Sequence, residues 1–485
     1  MGIEEQFDLA TADDLVQAVP LSRLLAQLFA FGVFPNLLLA VCTLGLSVLR
    51  PWINFDILFF GIVALFLRPA LAISGFVALM ALELAIDIAP IFHFDPVAFL
   101  YTSADIQNLS FSFALLPASF WLAFPLGLMA MAVCLWRVTR SSPHRAAIIL
   151  GISVLVAVSL DVANGTSTLN GKILRVDGGF APANFVFSPL VDIVSGIHAN
   201  RNNRGGTAQW VPVDSGLARG LALTHHTGPQ PQNNIVLVIV ESWGTMTTAP
   251  GMDDYVLKPL LSPALLSRYD VTRGVVPYRG STTSAEIREL CGVAGSHQML
   301  RKDHVPFCWP ARLARQGYQV VALHGFRSTM FNRVVWWPII GISRALFMGD
   351  LDRRPGQRRC GTSFRGICDT DAMAELGNQL RRGPGVFAYL LTLNSHLPIA
   401  QEEPTAIGFS CAAAPAQLTP EQCAIAARWR AVFDAAAKQA SREDIGETTF
   451  VLVGDHAPPF FYRNNSAAFS HAVVPFIVLA PRRQS

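Results

Sequence analysis

Charge is what this chain has least of. Asp, Glu, Lys and Arg make up only 15% of its 485 residues, against 52% hydrophobic residues, and mean hydropathy is +0.39. That is too apolar for an ordinary soluble enzyme and points to membrane-embedded segments. An excess of positive charge is missing too. The formal net charge is +3 and no basic stripe runs along the chain, which argues against nucleic acid as a partner. A basic n-region is also lacking, because residues 1–20 are polar and acidic (Glu4, Glu5, Asp8, Asp13, Asp14). No cleavable signal peptide is visible there, and the stretch reads as a cytoplasmic tail.

What is abundant is apolar sequence in the first third. Apolar segments recur at roughly 22–48, 54–68, 70–92, 111–136 and 146–163, and several approach the ~20 residues needed to cross a bilayer. Arg68-Pro69 divides the second from the third as a tight turn; as a single kinked helix the count would be four. Arg68, Arg137, Arg140 and Arg145 fall in two of the connecting loops, while the loop at about 93–110 has no Lys or Arg. By the positive-inside rule the arginine loops are cytoplasmic. Five spans over 21–164 then leave the N-terminus inside and everything after 165 outside. Glu83, Asp87 and Asp161 fall in or near these segments, where a carboxylate is costly and often functional, or else interfacial.

Residues 165–232 are rich in Gly, Asn, Ser and Pro and read as a linker with short helices. His225-His226 within it is a solvated loop pair rather than a metal site, since adjacent loop residues point apart. Of eight cysteines, Cys42 and Cys134 lie in apolar segments. The other six are Cys291, Cys308, Cys360, Cys368, Cys411 and Cys423. An even number on the outer side fits disulfides in an oxidising space. Sequence proximity favours pairs 291–308, 360–368 and 411–423.

The remainder, 233–485, alternates strands and helices. Asn234-Ile235-Val236-Leu237-Val238-Ile239-Val240 is a run buried on both faces, as in the centre of a parallel sheet, and it stops at Glu241. Gln319–Leu323 ends at His324-Gly325, Val386–Leu393 at Asn394-Ser395-His396, and Thr449–Val453 at Gly454-Asp455-His456. Helical segments such as 308–317 and 418–440 lie between them, which predicts a doubly wound α/β sheet. Ligand groups in such sheets sit past the carboxyl ends of strands. Glu241 alone serves equally well as a strand cap facing water; four strands ending in Glu, His, His and Asp-His form a constellation. Carboxylate oxygen with imidazole nitrogen suits one divalent ion, Zn2+ or Mn2+. The hydroxyl-rich turn Arg279-Gly280-Ser281-Thr282-Thr283-Ser284 leads into a helix. It is an ordinary N-cap or, beside a metal, a nucleophile at an anion-binding helix end.

These residues resemble the sulfatase-like branch of the alkaline phosphatase superfamily. Most similar are its membrane-anchored transferases: lipoteichoic acid synthases, glucan phosphoglycerol transferases and phosphoethanolamine transferases. The resemblance covers about 233–485. It implies metal binding by Glu241, Thr282, Asp455 and His456, with Thr282 in Gly280-Ser281-Thr282 as nucleophile. It also implies substrate contacts from His324, Phe331, Asn332, Arg333 and His396, with His324, His396 and Arg333 assisting catalysis. Cys291-Gly292 is similar to the glucan transferases and His324-Gly325 to the lipoteichoic acid group. The implied reaction transfers a phospholipid headgroup, phosphoglycerol or phosphoethanolamine, through a phosphothreonine to an envelope glycan or lipid acceptor. The catalytic domain would lie on the periplasmic or extracellular side of the cytoplasmic membrane.

Two other readings compete. Cys308-Trp309-Pro310-Ala311-Arg312 fits the C-x-P-x-R signature of formylglycine sulfatases, although the Thr-Gly that usually follows is missing and a disulfide gives Cys308 a simpler role. A hydrolase, sulfatase or phosphodiesterase, would transfer to water alone. A non-catalytic membrane scaffold or sensor is disfavoured by the intact set Glu241, Thr282, Asp455 and His456.

Overall fold

The computed structural model describes residues 20–42, 55–88, 118–138, 143–163, 211–223 and 233–482, the last with short internal exceptions. The acidic tail, the loop at 93–110, His225-His226 and most of the linker lie outside the described residues. Helices occupy all five apolar stretches: α1 (Leu21–Cys42), α2 (Phe55–Ala64), α3 (Pro69–Ile88), α4 (Ala118–Arg137) and α5 (Pro143–Ala163). They share a core around Phe31, Leu39, Ile57, Phe76 and Met131, and Glu83 is buried within it. Among the described residues one helix, α1 with 22 residues, is long and apolar enough to cross a bilayer; Pro69–Leu84, Trp121–Arg137 and Pro143–Val156 are shorter apolar helices. The 54–68 segment differs from expectation. Its helix α2 has 10 residues, a rise of about 15 Å, or half a hydrocarbon core. The helix ends before Arg68, and α3 starts anew at Pro69, where a proline without an N–H is at home.

Beyond these helices, seven strands form one sheet. They are β1 (Asn234–Val240), β2 (Tyr269–Pro277), β3 (Gln319–His324), β4 (Arg344–Phe347), β5 (Val386–Leu391), β6 (Thr448–Gly454) and β7 (Val473–Pro481). The spatial order is β2-β7-β6-β1-β5-β3-β4. β6, β1, β5, β3 and β4 run parallel, while β7 pairs antiparallel with both β6 and β2. The sheet is therefore mixed. β1 lies at its centre, and all seven of its residues are buried. Val236, Val238 and Val240 point into one core and Ile235, Leu237 and Ile239 into the other, each worth about 1.5–3 kcal/mol when fully buried.

Helices cover both faces. α6 (Gly216–Leu223), α7 (Thr282–Cys291), α8 (Trp309–Arg315) and α9 (Arg333–Ile339) contribute to the second core; α10 (Asp369–Leu380) and α11 (Pro420–Ala440) contribute to the first. The short helix α6, expected as part of a tether, instead packs on the sheet: Leu217 is fully buried and its N–H donates to Glu289 Oε2 at 2.8 Å. A Gly-flanked eight-residue segment gave no sign in sequence of that buried acceptor. The three disulfides are 291–308, 360–368 and 411–423, the pairs favoured by proximity. Cys308, fully buried, is the N-cap residue of α8.

The parallel pairing sets the ends of β6, β1, β5 and β3 side by side, with Gly454 opposite Val240 and His324 opposite Leu391. Gly454 is needed there, because a Cβ would run into the backbone carbonyl of Trp243 as the chain turns out of β1. Gly454→Ala should therefore lower stability by about 1–3 kcal/mol, read as a shifted thermal melt of the full chain in detergent.

Candidate active site

At these strand ends Glu241, Asp455 and His456 are all buried, with ligand atoms within 4.8 Å of one another. Their geometry is built from the backbone. Ser242 takes a left-handed conformation, φ 56°, which turns its N–H onto Asp455 Oδ1 at 2.6 Å; the His456 N–H donates to the same oxygen at 2.7 Å. The Ser242 hydroxyl donates to Glu241 Oε1 at 2.9 Å. His456 Nδ1 lies 2.9 Å from the Ala457 carbonyl. A carbonyl only accepts, so Nδ1 carries the proton and Nε2 turns a lone pair into the cluster. That lone pair lies 3.1 Å from Asp455 Oδ2 and 3.4 Å from Glu241 Oε1.

The cluster is short of positive charge. Asp455 Oδ2 is buried and accepts no hydrogen bond. Burial, then the Asp455 charge, push Glu241 well above the usual carboxylate range. Burial raises Asp455 to about 6 and lowers His456 to about 3. Two carboxylates and an imidazole lone pair aimed at one point suit a divalent cation, which all three donor types bind. The residues fit such an ion.

Thr282 joins them. Ser281 is the N-cap of α7, its hydroxyl accepting from the Ser284 N–H, so the capping role falls to Ser281 and Thr282 is released from it. Thr282 Oγ1 lies 3.2 Å from His456 Nε2 and 3.4 Å from Glu241 Oε2. Gly280, at φ 91°, supplies the left-handed turn just before it, which side chains rarely adopt.

The facing wall of the pocket comes from β3, α9 and the segment after β5. Its lining includes His324, Phe331, Arg333 and His396, together with Met330 and Phe364, which the sequence did not single out. His324 Nδ1 is 3.2 Å from the Leu391 carbonyl and His396 Nδ1 is 2.8 Å from that of Leu397. Both rings thus carry the proton on Nδ1 and leave Nε2 unprotonated. Burial, followed by the Arg333 charge, holds His324 well below the usual imidazole range, and burial lowers His396. Phe364 packs edge-on against His396 at 4.3 Å. Asp369 orders this loop, accepting from the Leu393 and Asn394 N–H groups at 2.8 and 2.7 Å.

Among the described residues three non-glycine residues have positive φ: Ser242, Phe331 and Asn332. Such strain collects at functional sites. Phe331 and Asn332 redirect the chain so that Arg333 enters α9 buried against the pocket. Asn332 itself is exposed and does not line the pocket. Its service is the left-handed backbone, which Asn tolerates.

Two buried carboxylates on α7 were also missed. Glu286 accepts from Arg333 Nη2 at 2.8 Å, Trp337 Nε1 at 3.0 Å and the Tyr389 hydroxyl at 2.9 Å. Burial, then Glu286, push Tyr389 well up, so its hydroxyl keeps its proton. Glu289 pairs with Arg288 at 2.7 Å, and Arg288 donates to the Gly454 carbonyl at 2.7 Å. The one-turn spacing of Glu286 from Thr282 was visible in sequence; its partners were not.

No protein-family model and no curated protein sequence matches the chain. In structure it is similar to solved members of the alkaline phosphatase superfamily. One is a superfamily protein from Vibrio parahaemolyticus, at 16% identity, covering 53% of this chain and 62% of that one, with a TM-score of 0.38. Others are the phosphoglycerol transferase GacH of Streptococcus pyogenes (15% identity; 54% and 73% covered; TM-score 0.37) and the integral membrane phosphoethanolamine transferase EptA of Neisseria meningitidis (14% identity; 92% and 88% covered; TM-score 0.43).

Asp455→Asn tests the charge deficit. A carboxylate whose pKa rises from 3.8 to about 6 on folding contributes stability below pH about 4 and loses it as pH climbs through 6. Relative to the Asn variant, the metal-stripped wild type should therefore lose on the order of 2–3 kcal/mol over that window. The Asn variant, which keeps Oδ1 as acceptor, lacks that contribution, so the gap between the two melting temperatures should shift with pH there, and the variant should bind less metal by elemental analysis.

Proposed function

We propose that this chain is a membrane-held phosphotransferase. It moves a phospholipid headgroup, phosphoglycerol or phosphoethanolamine, by way of Thr282 to an envelope glycan or lipid acceptor. The observation that carries this reading is the Thr282 hydroxyl, freed from capping by Ser281 and set against Glu241 and His456 at the N-terminus of α7. Backbone N–H groups and the helix dipole there favour an anionic phosphoryl group.

In the first step Thr282 Oγ1 attacks the headgroup phosphorus, a P–O bond to Thr282 forms, and the P–O bond to diacylglycerol breaks. The threonine proton leaves to a basic group of the cluster, and the departing glyceride oxygen takes up a proton. In the second step an acceptor hydroxyl displaces Thr282, which regains its proton. His396, whose ring lines the pocket with Nδ1 committed to the Leu397 carbonyl, is the group to take the acceptor's proton. Arg333 donates to phosphoryl oxygens through Nη1. A zinc or manganese ion, held by Glu241, Asp455 and His456 with Thr282 beside it, would lower the threonine pKa and offset phosphoryl charge.

A lipid donor suits the surroundings. The outer face of α9, which begins at the pocket residue Arg333, exposes Val334, Val335 and Ile339. The disulfides fit an oxidising outer compartment, and five spans would place the domain there with the N-terminus inside. The sulfatase alternative needs a free Cys308, whereas Cys308 is bonded to Cys291 and lies outside the pocket lining.

Thr282→Ala should retain metal yet lose headgroup release from labelled phospholipid by at least about a thousandfold, as expected when a nucleophile is removed. Peptide mass spectrometry of the wild type should find a headgroup phosphate on Thr282. Full activity of the variant, or loss seen instead only in Cys308→Ala with the other disulfides intact, would sink the assignment.

A further inference from the structure

The pocket has an unusual charge balance. Among the described residues lining it, Arg333 is the one with a fixed positive charge; burial lowers its three histidines, and the carbonyl beside each Nδ1 fixes the tautomer that leaves Nε2 unprotonated. Arg333 is almost fully buried, and its Nε and Nη2 are both committed to Glu286, at 3.0 and 2.8 Å. Every group facing Glu286 is a donor: the guanidinium, the Trp337 indole and the Tyr389 hydroxyl. A carboxylate with that shell is an acceptor-only anion. Toward the pocket Arg333 turns Nη1, which lies 3.5 Å from both His324 Nε2 and the Met330 carbonyl.

We infer that Glu286 is a positioning and specificity-determining residue: by neutralising Arg333 it makes the pocket prefer a singly charged phosphodiester over a doubly charged phosphomonoester. This rests on the phosphoryl-transfer reading and extends it. With its charge cancelled, Arg333 offers the ligand a directed N–H rather than net positive charge. A diester with one negative charge is served by that donor. A monoester dianion brings a second charge close to the Glu286 carboxylate, while the charge of a divalent ion held at Glu241 and Asp455 would already be matched by those two carboxylates. Glu286 stands one turn below Thr282 on α7, so the residue that fixes the charge of the far wall rides on the element that carries the attacking hydroxyl.

The test uses the full chain in detergent with two probes, glycerophosphoglycerol as diester and glycerol phosphate as monoester. Dissociation constants are measured by competition against turnover of a chromogenic phosphodiester. The wild type should bind the diester more tightly. In Glu286→Gln the monoester should bind at least about tenfold more tightly, because an uncancelled unit charge at contact distance acts on it, while the diester constant changes little and its kcat falls as Arg333 loosens. Glu286→Asp, which restores the charge, should restore the preference. Parallel weakening of both probes, or no change in either, would overturn the inference in favour of a purely structural carboxylate.

If Glu286→Gln shows no cooperative melt, the wild type alone decides. Glycerol phosphate should bind more weakly as pH rises from 5 to 7 through its second ionisation, near about 6 for a phosphomonoester; flat or tightening binding would overturn the proposal. A wild type that turns over no phosphodiester and carries no adduct on Thr282 would instead overturn the proposed function itself.

Discussion

Everything in the α/β domain answers to one electrostatic conflict, the burial of two carboxylates and an imidazole lone pair at the ends of two neighbouring parallel strands. Taking such groups out of water costs several kcal/mol per ion unless they are compensated. Because Gly454 lies opposite Val240 in the register, Glu241 and Asp455 leave the sheet side by side and have no route apart. The surrounding structure relieves part of the conflict: the left-handed Ser242 turns an N–H toward Asp455, the His456 N–H adds a second, and the Ser242 hydroxyl reaches Glu241. What the protein leaves unrelieved, on Asp455 Oδ2, is the part a cation fits.

Helix α7 ties the rest of the site to that conflict. Its N-cap is Ser281 and its first residue is Thr282; one turn on comes Glu286, which holds Arg333, and beyond it Arg288, which grips the Gly454 carbonyl. At 1.5 Å per residue, this one rigid element sets the spacing between Thr282, Arg333 and the end of β6. The Cys291–Cys308 bond holds its C-terminal end to the start of α8. Side chains carried on a helix and locked by buried partners keep a geometry that a loop would not.

The parts of this arrangement legible in sequence were those encoded by contiguous residues. β1, β3, β5 and β6 announce themselves as apolar runs that stop at Glu241, His324, the Asn394-Ser395-His396 turn and Asp455-His456, and all four ends do converge. β2 was not legible, since Tyr269–Pro277 shows an irregular, largely exposed pattern and owes its strand to pairing with β7. Four-residue β4 is too short to carry a period. The Glu286–Arg333 bond joins residues 47 apart, and no spacing rule connects them. The substrate contact that the resemblance implies for Asn332 carries no local sequence signal, and neither does its left-handed backbone, φ 52°. α6 was read as tether because its burial depends on Glu289, far along the chain.

Ser242 and Asp455 touch, yet they stand 213 residues apart in sequence, and this orders the assembly of the protein in time. Long-range pairings of this kind form late, after local structure. Until β6 enters, β1 keeps an unpaired edge and β7 has no strand through which to join β2 to the sheet. The insertion that closes the sheet is thus the one that delivers Asp455 and His456. A partly folded chain that already presents Thr282 has no Asp455 or His456 beside it. The cluster beside Thr282 exists only once the sheet is closed.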